Sequence, residues 1–446
     1  MTAAWRLALC LGAAALVAAL VPGPHELRWG LALFVLIGSL WVTQALPLPV
    51  TALVVPLAAV LAGLLPVRQA LAPFAHPVIF LFLGGFALGA ALASQGLDRA
   101  LALAVVRLAR GHRMVAVLLL GGLAALLSMW MSNTATAAMM VPLALGLLQS
   151  GDPAHGVGAR EKTFVLLVLA YSAGIGGMGT LVGSPPNAIA AAQLGIGFAQ
   201  WLRYGLPMVL LLWPAMVLLL WLLLRPRLGG RMQPPVLPME WSRAKVATVV
   251  IFLCTVAGWV GGTPLARALG VAADMDTLVA LAAIAALTVT GVLRWKDIEQ
   301  HTQWGVLLLF GGGLALSEVM SVTGSSHFLA QALLDGAREA SPAVLLLGMV
   351  AFVVLLTELV SNTASAALLL PVFLPVATAM GLPPVPVAVA IAMAASCAFM
   401  LPVATPPNAI VFATGEVPQN TMMRCGLWLN AVAIALITAV ALGWWA

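Results

Sequence analysis

The sequence predicts an all-α polytopic membrane protein built as an inverted repeat, with about eleven transmembrane helices and two re-entrant hairpins. Three observations predict it. Apolar residues make up 63% of the 446-residue chain and charged residues only 8%, whereas a soluble domain carries about 25% charged residues. So few charges cannot solvate the surface of a chain this long, so its solvent is lipid. Apolar runs recur along the whole sequence, many approaching the roughly 20 residues needed to span a bilayer. Finally, three short patterns occur twice. Ser132-Asn133-Thr134 returns as Ser361-Asn362-Thr363, 229 residues on, each with a hydroxyl residue four positions upstream (Ser128, Thr357). Ser184-Pro185-Pro186-Asn187 returns as Thr405-Pro406-Pro407-Asn408 after 221 residues, and Gly85-Phe-Ala-Leu as Gly313-Leu-Ala-Leu after 228. Matches at nearly one offset mark a duplicated half.

The elements follow in order. Apolar runs at 5–22, 29–46 and 49–66 lead to a Gly-rich span at 78–98, and then to a basic loop with Arg99, Arg107, Arg110 and Arg113. The first run resembles a signal peptide but lacks a small-x-small cleavage site, so it reads as the first transmembrane helix. Runs 114–131 and 135–149 flank the first Ser-Asn-Thr. A run from Thr163 breaks at Pro185-Pro186 and resumes at Asn187, and 205–224 spans again. The second half repeats the plan: 246–262, 275–293, 304–324, the pair 343–360 and 364–380, a broken run over 386–403 and from Asn408, and 426–446. The expected division is an N-terminal transmembrane helix at 1–28, a first repeat at 29–224, a cytoplasmic linker at 225–245 and a second repeat at 246–446. With each Ser-Asn-Thr at a hairpin tip and the N-terminus inside, fifteen basic residues fall on cytoplasmic segments and five outside, as the positive-inside rule expects. The first hairpin then enters from the cytoplasm and the second from outside. Two full crossings have the same parity as a hairpin, so the charges support the orientation and leave the hairpin open. Inverted halves of this kind are a common plan of secondary transporters.

The net charge of +6 belongs to loops between apolar runs and gives no reason to expect nucleic acid. Cys10, Cys254, Cys397 and Cys425 form no CxxC, and the six histidines form no metal-binding set. The duplicated islands carry the chemistry. Irregular backbone at membrane depth is tolerated only where it is buried in protein or lines a cavity, and the paired prolines impose it. Broken helices expose N-termini that attract anions and C-terminal carbonyls that can meet a cation. Ser128 and Ser132, four apart, are expected on one helix face, and Thr357 and Ser361 repeat the spacing. Neutral oxygen ligands suit Na⁺ rather than zinc or a transition metal. No island contains Lys or Arg, so a bound dianion needs bound cations beside it. Glu318 and Glu358 are the acids on apolar runs and functional candidates by default. Glu358 reads either as a proton site or as a structural acid bonded to hairpin backbone. An intramembrane enzyme is the alternative from another class, but neither acid has an obvious His or second acid nearby in sequence.

At these residues the chain resembles the divalent anion/sodium symporter family, whose members carry dicarboxylates, citrate or sulfate. The resemblance rests on the doubled Ser-Asn-Thr, on the Pro-containing break of each half and on Thr357-Glu358, and it covers nearly the whole chain. It implies one Na⁺ site from Ser128, Ser132, Asn133 and Gly183, and a second from Thr357, Val360, Asn362 and Ala404. It implies a substrate site from Asn133, Thr134, Ser184, Pro185, Asn362, Thr363, Thr405 and Pro406. It further implies a homodimer in a bacterial plasma (inner) membrane, in contact with lipid, moving a small dianion such as succinate by an elevator-like shift. Some relatives are Na⁺-independent exchangers with the same motifs. Trp41-Val-Thr43-Gln44 resembles a family stretch that usually carries Glu at the Gln44 position, a departure expected to lie away from the islands.

Overall fold

The computed structural model describes residues 3–149, 158–229, 240–270, 274–336 and 340–445. Every regular element among them is helical. The first half contains α1 (Ala3–Leu20), α2 (His25–Thr43), α3 (Leu48–Leu61), α4 (Val67–Leu71) with a 3₁₀ turn (Ala72–Ala75), and α5 (Pro77–Ser94). It continues with α6 (Leu97–Leu108), α7 (Arg113–Ser128), α8 (Asn133–Gln149), α9 (Ala159–Gly177), α10 (Pro185–Leu194) and α11 (Phe198–Leu224). The second half contains α12 (Arg243–Val260), α13 (Gly262–Leu269), α14 (Met275–Val289), α15 (Trp295–His301), α16 (Trp304–Val322) and α17 (Ser325–Gly336). After these come α18 (Pro342–Thr357), α19 (Asn362–Ala379), α20 (Pro384–Ala395), α21 (Pro406–Ala413) and α22 (Gln419–Gly443). Much of the linker, 230–239, lies outside the described residues, as do the polar stretch 151–157 and Arg338.

Seven helical segments among the described residues are long and apolar enough to cross a membrane: α2, α4–α5, α11, α12, α16, α19 and α22. The rest of the apolar sequence forms shorter helices, among them α1, α3, α7, α8, α14, α18 and α20. α7 and α8 have 16 and 17 residues and pack on each other, which is short of the roughly 20 that a full crossing takes. The segment 99–113, expected to be a loop, is mostly α6, and the polar stretch after Gly324 is α17. Both are 12-residue helices, shorter than a membrane span, and their charged and polar residues made them read as loops.

The duplication shows in the packing. The series α5–α11 is repeated as α16–α22, and each half holds a helix of the other. α3 lies along α16, and α14 lies along α5. The glycines immediately before the third sequence match, Gly84 and Gly312, make these crossings possible. A Cβ on Gly84 would stand 2.6 Å from Ala280 Cβ, and one on Gly312 would stand 2.6 Å from Ala52 Cβ. Either contact would push the helices apart in an interior already packed to near-crystal density.

Candidate functional site

The two Ser-Asn-Thr tips and the two Pro-Pro breaks meet around one cavity of about 340 Å³. Its lining includes Ser132, Asn133 and Thr134, then Gly183, Ser184 and Pro185 from the first half, with Val360, Asn362, Thr363, Ala404, Thr405 and Pro406 from the second. Of the residues expected in the two Na⁺ sites and the substrate site, only Ser128 and Thr357 do not line it. Both are fully buried behind the tips.

Four helices begin at this cavity: α8 at Asn133, α19 at Asn362, α10 at Pro185 and α21 at Pro406. The first turn of a helix has unpaired N–H groups and the positive end of the helix dipole. Proline at the first position of α10 and α21 costs nothing there, because its missing N–H would be unpaired anyway. Thr405 caps α21 by accepting from Asn408 N at 3.4 Å. Ser132 caps α8 by accepting from Ala135 N at 3.2 Å. Among the described residues no Lys, Arg, Asp or Glu lines the cavity. Positive potential here comes from backbone alone.

Behind each tip a hydroxyl, a tip asparagine and a helix-end carbonyl form the same arrangement. Ser128 Oγ donates to Asn133 Oδ1 and lies 2.7 Å from Ala173 O. Thr357 Oγ1 donates to Asn362 Oδ1 at 2.8 Å and lies 2.7 Å from Ala395 O. The Pro-Pro loops are tied by equivalent asparagines. Asn187 Nδ2 donates to Gly177 O and Thr180 O at 2.9 and 2.7 Å, and Asn408 Nδ2 to Ala398 O and Leu401 O at 3.0 and 3.1 Å. In the first half, oxygens crowd together. A Cβ on Gly177 would stand 2.8 Å from Asn133 Oδ1, and one on Gly183 would stand 2.6 Å from Gly177 O and 3.0 Å from Ser128 O. Such a gathering of neutral oxygens fits a hard monovalent cation.

The halves are joined at this level. Ser184 Oγ and Ser396 Oγ are 3.0 Å apart, and Tyr171 donates to Phe399 O at 2.7 Å. Nearer one face, Lys162 Nζ meets Glu416 Oε1 at 2.7 Å.

Two expectations change, and of the two readings left open for Glu358 the structure favours one. Ser128 and Ser132 do not share a helix face, nor do Thr357 and Ser361, because α7 stops at Ser128 and α18 at Thr357. Asn133 and Asn362 take the place expected of Ser132 and Ser361 as partners of the buried hydroxyls. Glu358 is structural. Its carboxylate accepts from Phe399 N (2.7 Å), Met400 N (2.9 Å), Leu401 N (3.1 Å) and Asn430 Nδ2 (2.7 Å), which fixes the loop before Thr405. Gln44 does not lie away from the islands. It ends α2 in a left-handed conformation (φ 49°) and lines the same cavity, as does Gln303 between α15 and α16. Both come from segments that carry no repeat signal. A Gln with positive φ leaves no mark in sequence, and a polar residue at a helix end is unremarkable there.

Fold and site together define an integral membrane protein of the secondary-transporter class, with duplicated halves around an anion-attracting cavity. The citrate transporter family, CitMHS, matches residues 39–372 and 339–446. The chain belongs to this family; it is a transporter and not an enzyme. An uncharacterized transporter of Haemophilus influenzae is 46% identical over 442 residues, covering 95% of this chain and 93% of that one. The sodium-dependent dicarboxylate transporter SdcS of Staphylococcus aureus is 30% identical over 460 residues, covering 94% and 86%. Among solved structures, the YdaH transporter of Alcanivorax borkumensis superposes with a TM-score of 0.59 at 18% identity, covering 84% of this chain and 87% of that one. MtrF of Neisseria gonorrhoeae superposes with a TM-score of 0.57 at 16% identity, covering 99% and 94%. At these identities the two structures speak to the fold alone.

Proposed function

We propose that the chain carries a small dianion, a C4-dicarboxylate such as succinate, by Na⁺ symport. The observation that carries this reading is the meeting of four helix N-termini at a cavity without a basic side chain. N-terminal N–H groups, with Thr134, Thr363 and Thr405 hydroxyls, offer donors to two carboxylates. A dianion held only by dipoles keeps most of its charge uncompensated, and cations beside it lower that cost. The first Na⁺ would sit among Ser128, Ser132, Asn133 and Gly183, and the second among Thr357, Val360, Asn362 and Ala404. The description of the SdcS relative as a sodium-dependent dicarboxylate transporter agrees with this reading.

The bonds Ser184–Ser396 and Tyr171–Phe399 support movement of both islands as one body, in an elevator-like shift within a homodimer. The inverted repeats would be 29–224 and 246–446, with the first hairpin on the cytoplasmic side, the second on the outer side and 225–245 linking them in the cytoplasm. The test is reconstitution into proteoliposomes with labelled succinate, comparing an inward Na⁺ gradient, no Na⁺, and internal succinate alone. Uptake driven by the gradient supports symport. Equal exchange in all Na⁺ conditions would assign the chain to the exchangers.

A further inference from the structure

The two acids on apolar helices part ways in the structure. Glu358 is held by four donors, three on Oε1 and one on Oε2. Glu318 has one, Gln69 Nε2 at 2.8 Å from Oε1, and its Oε2 is left without a donor. It stands near the end of α16 and lines a second cavity of about 610 Å³ together with Gln69, His76, Gln193, Ser317 and Ser321. This cavity lies at the far end of the helices that begin at the first one. α10 starts with Pro185 in the first cavity and reaches the second at Gln193, about 12 Å along at 1.5 Å per residue. α19 likewise runs from Asn362 to Leu374 between the two.

We propose that Glu318 and the oxygens around it form a cation site, taking Na⁺ or a similar hard monovalent cation, separate from the tips. The site needs no assumption about the first cavity. Ser317 and Ser321 are four apart on α16 and share a face, with Glu318 beside them. Gln69 offers its amide oxygen while its N–H group holds the carboxylate. Carboxylate, hydroxyl and amide oxygens are the ligands such a cation takes, and the cavity has room for water to complete the shell. Among the described residues no Lys or Arg lines the cavity. The other titratable side chain there, His76, uses Nδ1 to accept from Val78 N, so the carboxylate has no counter-ion in the cavity. Glu318 is half-buried beside the cavity, and a bound cation would supply the counter-charge that its lining lacks. A further sign is Gln193 Nε2, which is buried and has no hydrogen-bond partner. A half-turn of this amide leaves its shape unchanged and exchanges its oxygen and nitrogen, so Gln193 brings one further neutral oxygen to the rim of the cavity.

The test reads the cavity directly, with the full chain in detergent and without dicarboxylate. Cys254 is exposed and the other cysteines are buried, so Cys254→Ala gives a quiet background. Ala72→Cys places a reactive thiol at the exposed rim of the cavity. Its alkylation by a neutral maleimide is followed in NaCl and in choline chloride at equal ionic strength. Na⁺ is expected to slow alkylation about threefold or more, as a ligand that binds one state favours it. Glu318→Gln should abolish the protection, and Gln69→Leu should raise the Na⁺ concentration needed for it. Ser128→Ala with Thr357→Ala should leave it intact, which separates this site from the tips. If Glu318→Gln does not reach the membrane, Ser317→Ala with Ser321→Ala takes its place, with the same weakening expected. Absence of protection, protection that survives loss of the carboxylate, or protection that follows the tip variants would overturn the proposal. So would an effect reproduced by pH change without Na⁺, which would make Glu318 a proton carrier.

Discussion

The two Pro-Pro loops hold one geometry by different means. In the first half the loop is held by Thr180, which donates to Met129 O and accepts from Gly183 N, and by glycines at 177 and 183. In the second half the equivalent positions are Ala398 and Ala404, and Glu358 stands where the first half has Met129. Its carboxylate gathers three successive amides and Asn430. A loop pressed against its neighbours needs room, and glycine supplies it. Where alanines stand in place of those glycines, a buried carboxylate accepts from the loop's free N–H groups. Equal geometry at Asn133 and Asn362 therefore does not mean equal tolerance of change around them.

The largest expected effect follows from this difference. Glu358→Ala leaves three amides and Asn430 without their acceptor. Hydrogen bonds to charged groups contribute about 1.5–3 kcal/mol each and orphaned donors add a penalty, so a loss on the order of 4 kcal/mol is expected. The volume-conserving Met129→Leu at the matching position should cost under about 1.5 kcal/mol. Thermal unfolding of both variants in detergent checks the contrast, and equal shifts would break it.

Glycine 183 comes next. A Cβ there would meet Gly177 O at 2.6 Å, and overpacking of this kind costs about 1–3 kcal/mol. Gly183→Ala should raise the Na⁺ concentration for half-maximal uptake about tenfold, since each 1.4 kcal/mol is a factor of ten. Ala404→Gly should stay within about fourfold, as it removes only one methyl group, about 0.8 kcal/mol at most. Reversal of that order would mean that the crowding around Gly183 does not set the Na⁺ dependence.

Asn133→Ala and Asn362→Ala should each weaken succinate uptake by an amount set by one lost buried partner, about 1–3 kcal/mol, while insertion persists. Here the halves should respond alike, because Ser128 and Thr357 bond them in the same way. Wild-type-like uptake by the double variant would remove both asparagines from the site. The smallest effect is expected at Lys162–Glu416. Its side chains are 29% and 34% exposed, and Lys162→Met should shift unfolding by no more than about 1 kcal/mol.

How far the sequence reaches is clear from these residues. The islands were legible because each is local: Ser-Asn-Thr and Pro-Pro-Asn carry their backbone consequences within a few residues, and duplication made them stand out. A site shared by the two islands was implied by the family resemblance, but their bonding was not. The pairing of Ser128 with Asn133 rather than with Ser132 depends on α7 ending at Ser128, and continuous apolar sequence through Met131 hides that end. The partners of Glu358 lie 41 to 72 residues away and those of Glu318 249 away, beyond what spacing can convey. Gln44 and Gln303 reach the cavity through tertiary packing alone.

The central claim is that backbone dipoles hold a dianion whose remaining charge is met by Na⁺. Linkage then requires that Na⁺ raise succinate affinity and that succinate raise Na⁺ affinity by the same factor. The direct measurement is succinate binding to the purified protein against Na⁺ concentration, with choline replacing Na⁺ at constant ionic strength. The predicted result is a sigmoidal rise, since two cation sites contribute. A flat response, together with brisk succinate-for-succinate exchange in proteoliposomes, would contradict it.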